Sequence, residues 1–129
     1  MPLVRIDMTE GRSDDEIKTL MDTVQDCAVE AFVVPERDRY QIVTEHKPGR
    51  MILLDTGLGF ARTDAAIVVQ VFTSPRDTVM KEKYCQLMAD KLQANCDLDP
   101  KDLMISFMTN TDVDWSFGYG EIQYLNGKL

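Results

Sequence analysis

Residues 66–72 read Ala66-Ile67-Val68-Val69-Gln70-Val71-Phe72. Only Gln70 interrupts the apolar run. A run this short, rich in β-branched residues and apolar at odd and even positions alike, predicts a strand buried on both faces. Ser74-Pro75-Arg76-Asp77 follows and reads as a helix start, with Pro75 at the first helical position, where its missing N–H has no partner to lose. Met80, Tyr84, Leu87, Met88 and Leu92 then recur at helical spacing, Pro100 lies beyond, and Leu103-Met104-Ile105-Ser106-Phe107 forms the next strand.

The same order stands upstream. Leu3 to Met8 alternates, with Val4, Ile6 and Met8 on one face and Leu3, Arg5 and Asp7 on the other. Ser13-Asp14-Asp15-Glu16 is a capping box with Ser13 at the N-cap. Ile17, Leu20, Met21, Val24, Ala28, Ala31 and Phe32 supply a helical stripe, Pro35 marks its stop, and Tyr40 to Thr44 reads as a strand. Matching Ser13 with Ser74 and Pro35 with Pro100 gives two β-α-β units of about sixty residues, spanning 2–46 and 65–110. Parallel strands with a crossover helix are expected in each.

The predicted fold is therefore α/β in a two-layer α+β arrangement, a tandem β-α-β repeat whose four-stranded sheet carries two helices on one face. Nothing in the chain is left to cover the other face, so copies of the chain are expected to cover it in a symmetric homo-oligomer. Lys47 to Thr63 joins the units and holds a short apolar run, Met51 to Leu54. Trp115 to Gly120, followed by Ile122 to Leu125, reads as a small hairpin or edge strands.

The length of 129 residues predicts a single domain over 1–129 with a core of its own. A net charge of −8, with no Lys/Arg run, argues against nucleic-acid and anionic-membrane partners. One or two arginines would still suffice for a small carboxylate substrate. Arg5 and Asp7 interrupt any signal-peptide core, and no apolar stretch reaches the ~20 residues of a membrane span. Cys27, Cys85 and Cys96 lie far apart and read as reduced thiols of a cytoplasmic protein. His46 is the sole histidine, which removes His-paired metal sites and Ser-His or Cys-His machinery.

Several motifs have bland readings. Gly57-Leu58-Gly59 fails as a dinucleotide fingerprint because Arg62 occupies the third glycine position. Asp112 and Asp114 do not complete a calcium loop and read as a polar turn. Asp38 lies at the joint between the first helix and the second strand. Arg76 is expected in the first turn of the second helix, where a cation opposes the dipole; holding an anion would explain it. Trp115 and Phe117 form an aromatic cluster that reads as a core anchor or a pocket wall. Pro2 is the sharpest feature. A small second residue permits removal of Met1, which would leave a secondary amine at the head of the first strand, able to act as acid, base or Schiff-base nucleophile.

Pro2 opening a strand, the two β-α-β units and the need for partner subunits together resemble the tautomerase superfamily. Within it the chain is most similar to the malonate semialdehyde decarboxylase group, through Pro2-Leu3-Val4-Arg5-Ile6-Asp7, Glu10-Gly11-Arg12, Val34-Pro35, Asp38-Arg39-Tyr40-Gln41, Asp55-Thr56-Gly57-Leu58-Gly59 and Asp114-Trp115-Ser116-Phe117-Gly118. The resemblance implies a homotrimer, with the N-terminal proline at the bottom of an apolar pocket near a subunit boundary. It implies a protonated Pro2 that polarises the substrate carbonyl, helped by Asp38. Arginines on either side of a proline would hold the carboxylate, and Trp115 and Phe117 would wall the pocket. The family's Arg-Pro-Arg is here Ser74-Pro75-Arg76, so one charge-assisted contact becomes a hydroxyl. Relatives that dehalogenate cis-3-haloacrylates need a histidine in the first helix; position 29 is Val29.

Decarboxylation of a 3-oxo acid such as malonate semialdehyde is thus the expected activity, with no metal, flavin, nucleotide or other cofactor. Keto–enol tautomerisation of a 2-oxo acid such as phenylpyruvate is the alternative and requires a neutral Pro2 acting as base. A non-catalytic trimer that uses the fold for binding is a third reading.

Overall fold

The computed structural model describes residues 1–129. Its elements are β1 (Leu3–Thr9), α1 (Asp14–Phe32), β2 (Tyr40–His46), β3 (Ile67–Thr73), α2 (Thr78–Cys96) and β4 (Leu103–Thr109), with single 3₁₀ turns at Pro100–Asp102 and Asp112–Asp114. The sheet order is β2-β1-β3-β4. β1 runs parallel to β2 and β3 parallel to β4, and the two pairs meet antiparallel along β1 and β3.

Alternation in β1 sends Val4, Ile6 and Met8 inward, and Ile67, Val69 and Val71 do the same from β3. They meet Leu20, Val24, Cys27, Ala28, Ala31 and Phe32 of α1 and Tyr84, Met88 and Leu92 of α2 in one core. The helices pack through Phe32 stacked on Tyr84, with ring centroids 4.8 Å apart. The Tyr84 hydroxyl is buried there without a hydrogen-bond partner. No helix is long and apolar enough to cross a membrane.

The capping box forms as read: the Ser13 hydroxyl accepts from Glu16 N at 3.1 Å and Glu16 Oε1 accepts from Ser13 N at 3.0 Å. The second helix begins later than its sequence suggests. Asp77, not Ser74, is the N-cap, because its carboxylate reaches the Met80 N–H at 2.8 Å. Pro75 and Arg76 therefore lie outside the helix, in the connection that leaves β3. The repeat is correspondingly more regular: one offset, 64 residues, separates Leu3 from Ile67 and Asp14 from Thr78. Ser13 is thus equivalent to Asp77.

Two other expectations change. Ile122 to Leu125 forms turns rather than strands, and only an isolated Gly118–Glu121 bridge remains of the hairpin. Tyr119 and Gly120 both have positive φ, 59° and 69°, which breaks an extended path. Met51 to Leu54 pairs with nothing and leaves Ile52 and Leu54 exposed.

The outer face of the sheet is open in the single chain. β3 is closed on its helix side, but Val68, Gln70 and Phe72 are only half-buried on the other, and Ile42 and Met104 of the flanking strands are exposed. The double burial expected of residues 66–72 is not completed within one chain.

Candidate active site

Sheet topology brings four chain segments to one edge. The start of β1 lies beside the start of β2, Leu3 opposite Tyr40, and beside the end of β3, Leu3 opposite Phe72. Thr73 in turn pairs with Thr109 at the end of β4. Pro2, Asp38, the Ser74–Arg76 connection and the segment after β4 therefore share this edge.

Pro2 is buried directly before β1. The chain begins here with the Met1 amine. Burial and the Arg76 guanidinium hold that amine below the ordinary N-terminal range, while Asp38 and Asp112 pull it the other way. All three side chains thus act on the amino terminus.

Asp38 is half-buried on the connection between α1 and β2. That connection leaves α1 through Val33, held left-handed at φ 55°. A β-branched residue there costs of order 1–3 kcal/mol, so the surroundings must impose it. One restraint is Gln25, buried on α1, whose Nε2 donates to the carbonyls of Glu36 (3.0 Å) and Asp38 (3.3 Å). The Asp38 carboxylate itself has no hydrogen bond or ion pair from the chain.

Arg76 donates from Nε to Thr73 Oγ1 at 3.1 Å and from one terminal nitrogen to Phe32 O at 3.5 Å, and lies 5.1 Å above the Phe32 ring. None of the ion pairs of the chain includes it. Its second terminal nitrogen is free. Burial lowers its pKa, opposed by Tyr124 and Asp38. A half-buried guanidinium with no counter-ion is poorly solvated, and an incoming carboxylate relieves that cost. Ser74 is half-buried on the same connection, with its hydroxyl unbonded; no hydrogen bond joins it to Arg76 or Asp38.

Trp115 and Phe117 are both half-buried and stack at 5.4 Å. Phe117 also stacks on Tyr40 at 5.6 Å and meets Tyr124 edge-on at 5.8 Å. Trp115 Nε1 donates to Asn110 Oδ1 at 2.9 Å, fixing the indole. The wall thus contains two tyrosines that sequence reasoning did not assign to the site. Tyr40 carried a weak signal, two residues after Asp38; Tyr124 carried none, since its segment was read as an edge strand. Asp112, read as a turn, acts electrostatically on the amino terminus.

A separate groove, lined by Thr9, Met51, Leu53, Arg62 and Thr63, lies at the opposite sheet end. The candidate site is an open shelf in one chain. Chemically it offers an amine end, one free cation, two carboxylates and an aromatic wall, a set suited to a small carboxylate.

Two family models described as "Tautomerase enzyme" match, one over residues 38–118 and the other over 2–61. The chain is 46% identical, over the full length of both, to a Bacillus subtilis (strain 168) protein described as a probable tautomerase, YrdN. It superposes with a TM-score of 0.95 and 40% identity, over 98% of each chain, on a structure of malonate semialdehyde decarboxylase. A fused 4-OT symmetric trimer shares the fold alone, at 18% identity and a TM-score of 0.75, over 92% of this chain and 94% of that one.

Proposed function

The chain belongs to the tautomerase family, and from that premise we propose that it decarboxylates a small 3-oxo acid such as malonate semialdehyde. The observation that carries the reading is Arg76, a half-buried cation without a carboxylate partner beside the amino terminus. The 40% identity to a malonate semialdehyde decarboxylase over nearly the whole chain supports it.

Removal of Met1 exposes the Pro2 amine. Arg76 holds the substrate carboxylate, with the Ser74 hydroxyl as a second donor. The C–C bond to the carboxylate breaks, CO₂ leaves, and the electron pair moves toward the carbonyl oxygen. Protonated Pro2 donates a hydrogen bond to that developing enolate, a contribution of roughly 3–4 kcal/mol for such a donor. Protonation at carbon then releases the aldehyde. The negative charge of Asp38 favours the protonated amine. Trp115 and Phe117 exclude water and strengthen these contacts. No cofactor takes part.

The open outer sheet face and the shelf-like site support a homotrimer, in which neighbouring subunits cover that face and close the site. A fused 4-OT of the same fold is a trimer. The free cysteines fit a cytoplasmic setting.

One observation favours a second reading. Burial and Arg76 depress the pKa of the Met1 amine; acting with the same sign on the Pro2 amine, they favour its neutral form and hence a base for keto–enol tautomerisation of a 2-oxo acid such as phenylpyruvate. The 46%-identical relative is described as a probable tautomerase. Proton NMR separates the two, using protein shown by intact mass to lack Met1. Acetaldehyde formed from malonate semialdehyde supports decarboxylation. Untouched malonate semialdehyde together with accelerated enol–keto exchange of phenylpyruvate replaces it with tautomerisation. A properly processed protein inert toward both leaves the binding-trimer reading.

A further inference from the structure

We propose that the Tyr124 hydroxyl is a third donor to the substrate carboxylate, alongside Arg76 and Ser74. This rests on the reading of Arg76 as a carboxylate-binding residue.

Three observations converge on Tyr124. Its ring is held edge-on against Phe117 at 5.8 Å. The neighbouring Gln123 clamps the segment in place, accepting from Phe117 N and donating to Gly118 O, both at 3.0 Å. The position of the ring is therefore imposed by wall and backbone together. The hydroxyl, by contrast, makes no hydrogen bond to any protein group, although Asp38, Asp112, Arg76 and Tyr40 all act on it electrostatically. A phenol within the field of these groups and without a protein partner has donor capacity available for a ligand. Burial and the two carboxylates also raise its pKa, so it keeps its proton at neutral pH.

The charge pattern decides what it donates to. Asp38 and Asp112 repel an anion, whereas Arg76 attracts one, so a carboxylate settles on the Arg76 side of the shelf. There the free terminal nitrogen of Arg76 and the unbonded Tyr124 hydroxyl are the available donors. A hydroxyl–carboxylate hydrogen bond from Tyr124 adds to that of Ser74, which is neutral and makes no hydrogen bond with Arg76.

The test uses Trp115, the only tryptophan of the chain and part of this wall, as a fluorescence reporter. The probe is 3-hydroxypropanoate, an unreactive carboxylate; propane-1,3-diol, which lacks the charge, is the control. Tyr124→Phe keeps the ring and removes only the hydroxyl. The expected result is binding of 3-hydroxypropanoate but not the diol by the wild type, weakened about tenfold in Tyr124→Phe, the loss of one hydrogen bond to a charged group. KM for the turned-over carboxylate should rise by a similar factor while kcat stays within twofold. Equal binding by wild type and Tyr124→Phe, with binding lost in Arg76→Met, would overturn the role of Tyr124 and leave that of Arg76 intact. If the wild type binds the probe no better than Arg76→Met does, both roles fail.

Discussion

The two ends of the sheet are near-equivalents with opposite chemistry. Because β1 and β3 are antiparallel, the 64-residue offset places matching positions at opposite ends. It pairs Pro2 with Ala66, Thr73 with Thr9, and Arg76 with Arg12. At the Ala66 end Arg12, Arg62 and Asp102 are tied to groups of the chain itself. Arg12 donates to the Ala65 carbonyl at 2.7 Å. Asp102, 1% exposed, accepts from Thr63 N at 2.7 Å and Thr63 Oγ1 at 2.5 Å. Arg62 donates to the carbonyls of Leu54 and Lys101 and covers Phe60. At the Pro2 end the Asp38 carboxylate, the Tyr124 hydroxyl and one arm of Arg76 are all free. At the Ala66 end the polypeptide runs on through Ala65 and supplies the carbonyl that Arg12 binds. The end with unbonded groups is the end with room for a substrate.

That contrast is broken most sharply by treating the matched arginines alike. Arg76→Met should lower kcat/KM for malonate semialdehyde by about 10²–10³, the loss of a charge-assisted contact in a water-poor site. Arg12→Met should leave the rate within a fewfold, since Arg12 serves a backbone carbonyl. Comparable rate losses in both variants would erase the distinction between the ends.

The amine gives the next effect. Asp38 raises the pKa of the Met1 amine; its negative charge acts with the same sign on the Pro2 amine once Met1 is removed, so Asp38→Asn should lower that pKa. A decarboxylase needs the protonated amine, so its activity falls as pH rises through that pKa, and Asp38→Asn should move this fall to lower pH. A pH–rate profile of both proteins checks the direction; a shift to higher pH, or none, would contradict it.

At the satisfied end the cost should appear in stability. Asp102→Ala strands the donors of Thr63 and should reduce unfolding free energy in urea by about 1–3 kcal/mol, with turnover unaltered. The smallest effect lies in the core between the ends. Tyr84→Phe removes a buried hydroxyl with no partner and keeps the stack on Phe32, so it should be neutral or stabilise by about 1 kcal/mol.

How legible this was depended on whether a feature is written locally. The capping box at Ser13 and the period-2 alternation of Leu3 to Met8 are short-range signals, and both are found in the structure. The start of α2 was misplaced because Ser74 and Asp77 are both good caps, and only geometry shows which carboxylate or hydroxyl reaches a free N–H. Pro2, Asp38 and Arg76 were read as candidates, and the edge they share follows from strand order. Tyr124 and Gln25 were invisible. Tyr124 joins the site through a turn that returns along the aromatic wall, and Gln25 through side-chain bonds to a loop eleven and thirteen residues away. Such roles arise from tertiary placement, which no periodicity records.

The central proposal is that the Pro2 amine, at the free end of the sheet, carries the reaction. Its most direct test is the rate of acetaldehyde formation from malonate semialdehyde by Met1-free wild type and Met1-free Pro2→Ala, each verified by intact mass and by an unchanged thermal midpoint. The account predicts a loss of about 10²–10⁴ in the variant, the range for removal of a positioned acid–base group. Equal rates in two folded, processed proteins would show that the amine at this end does not carry the reaction.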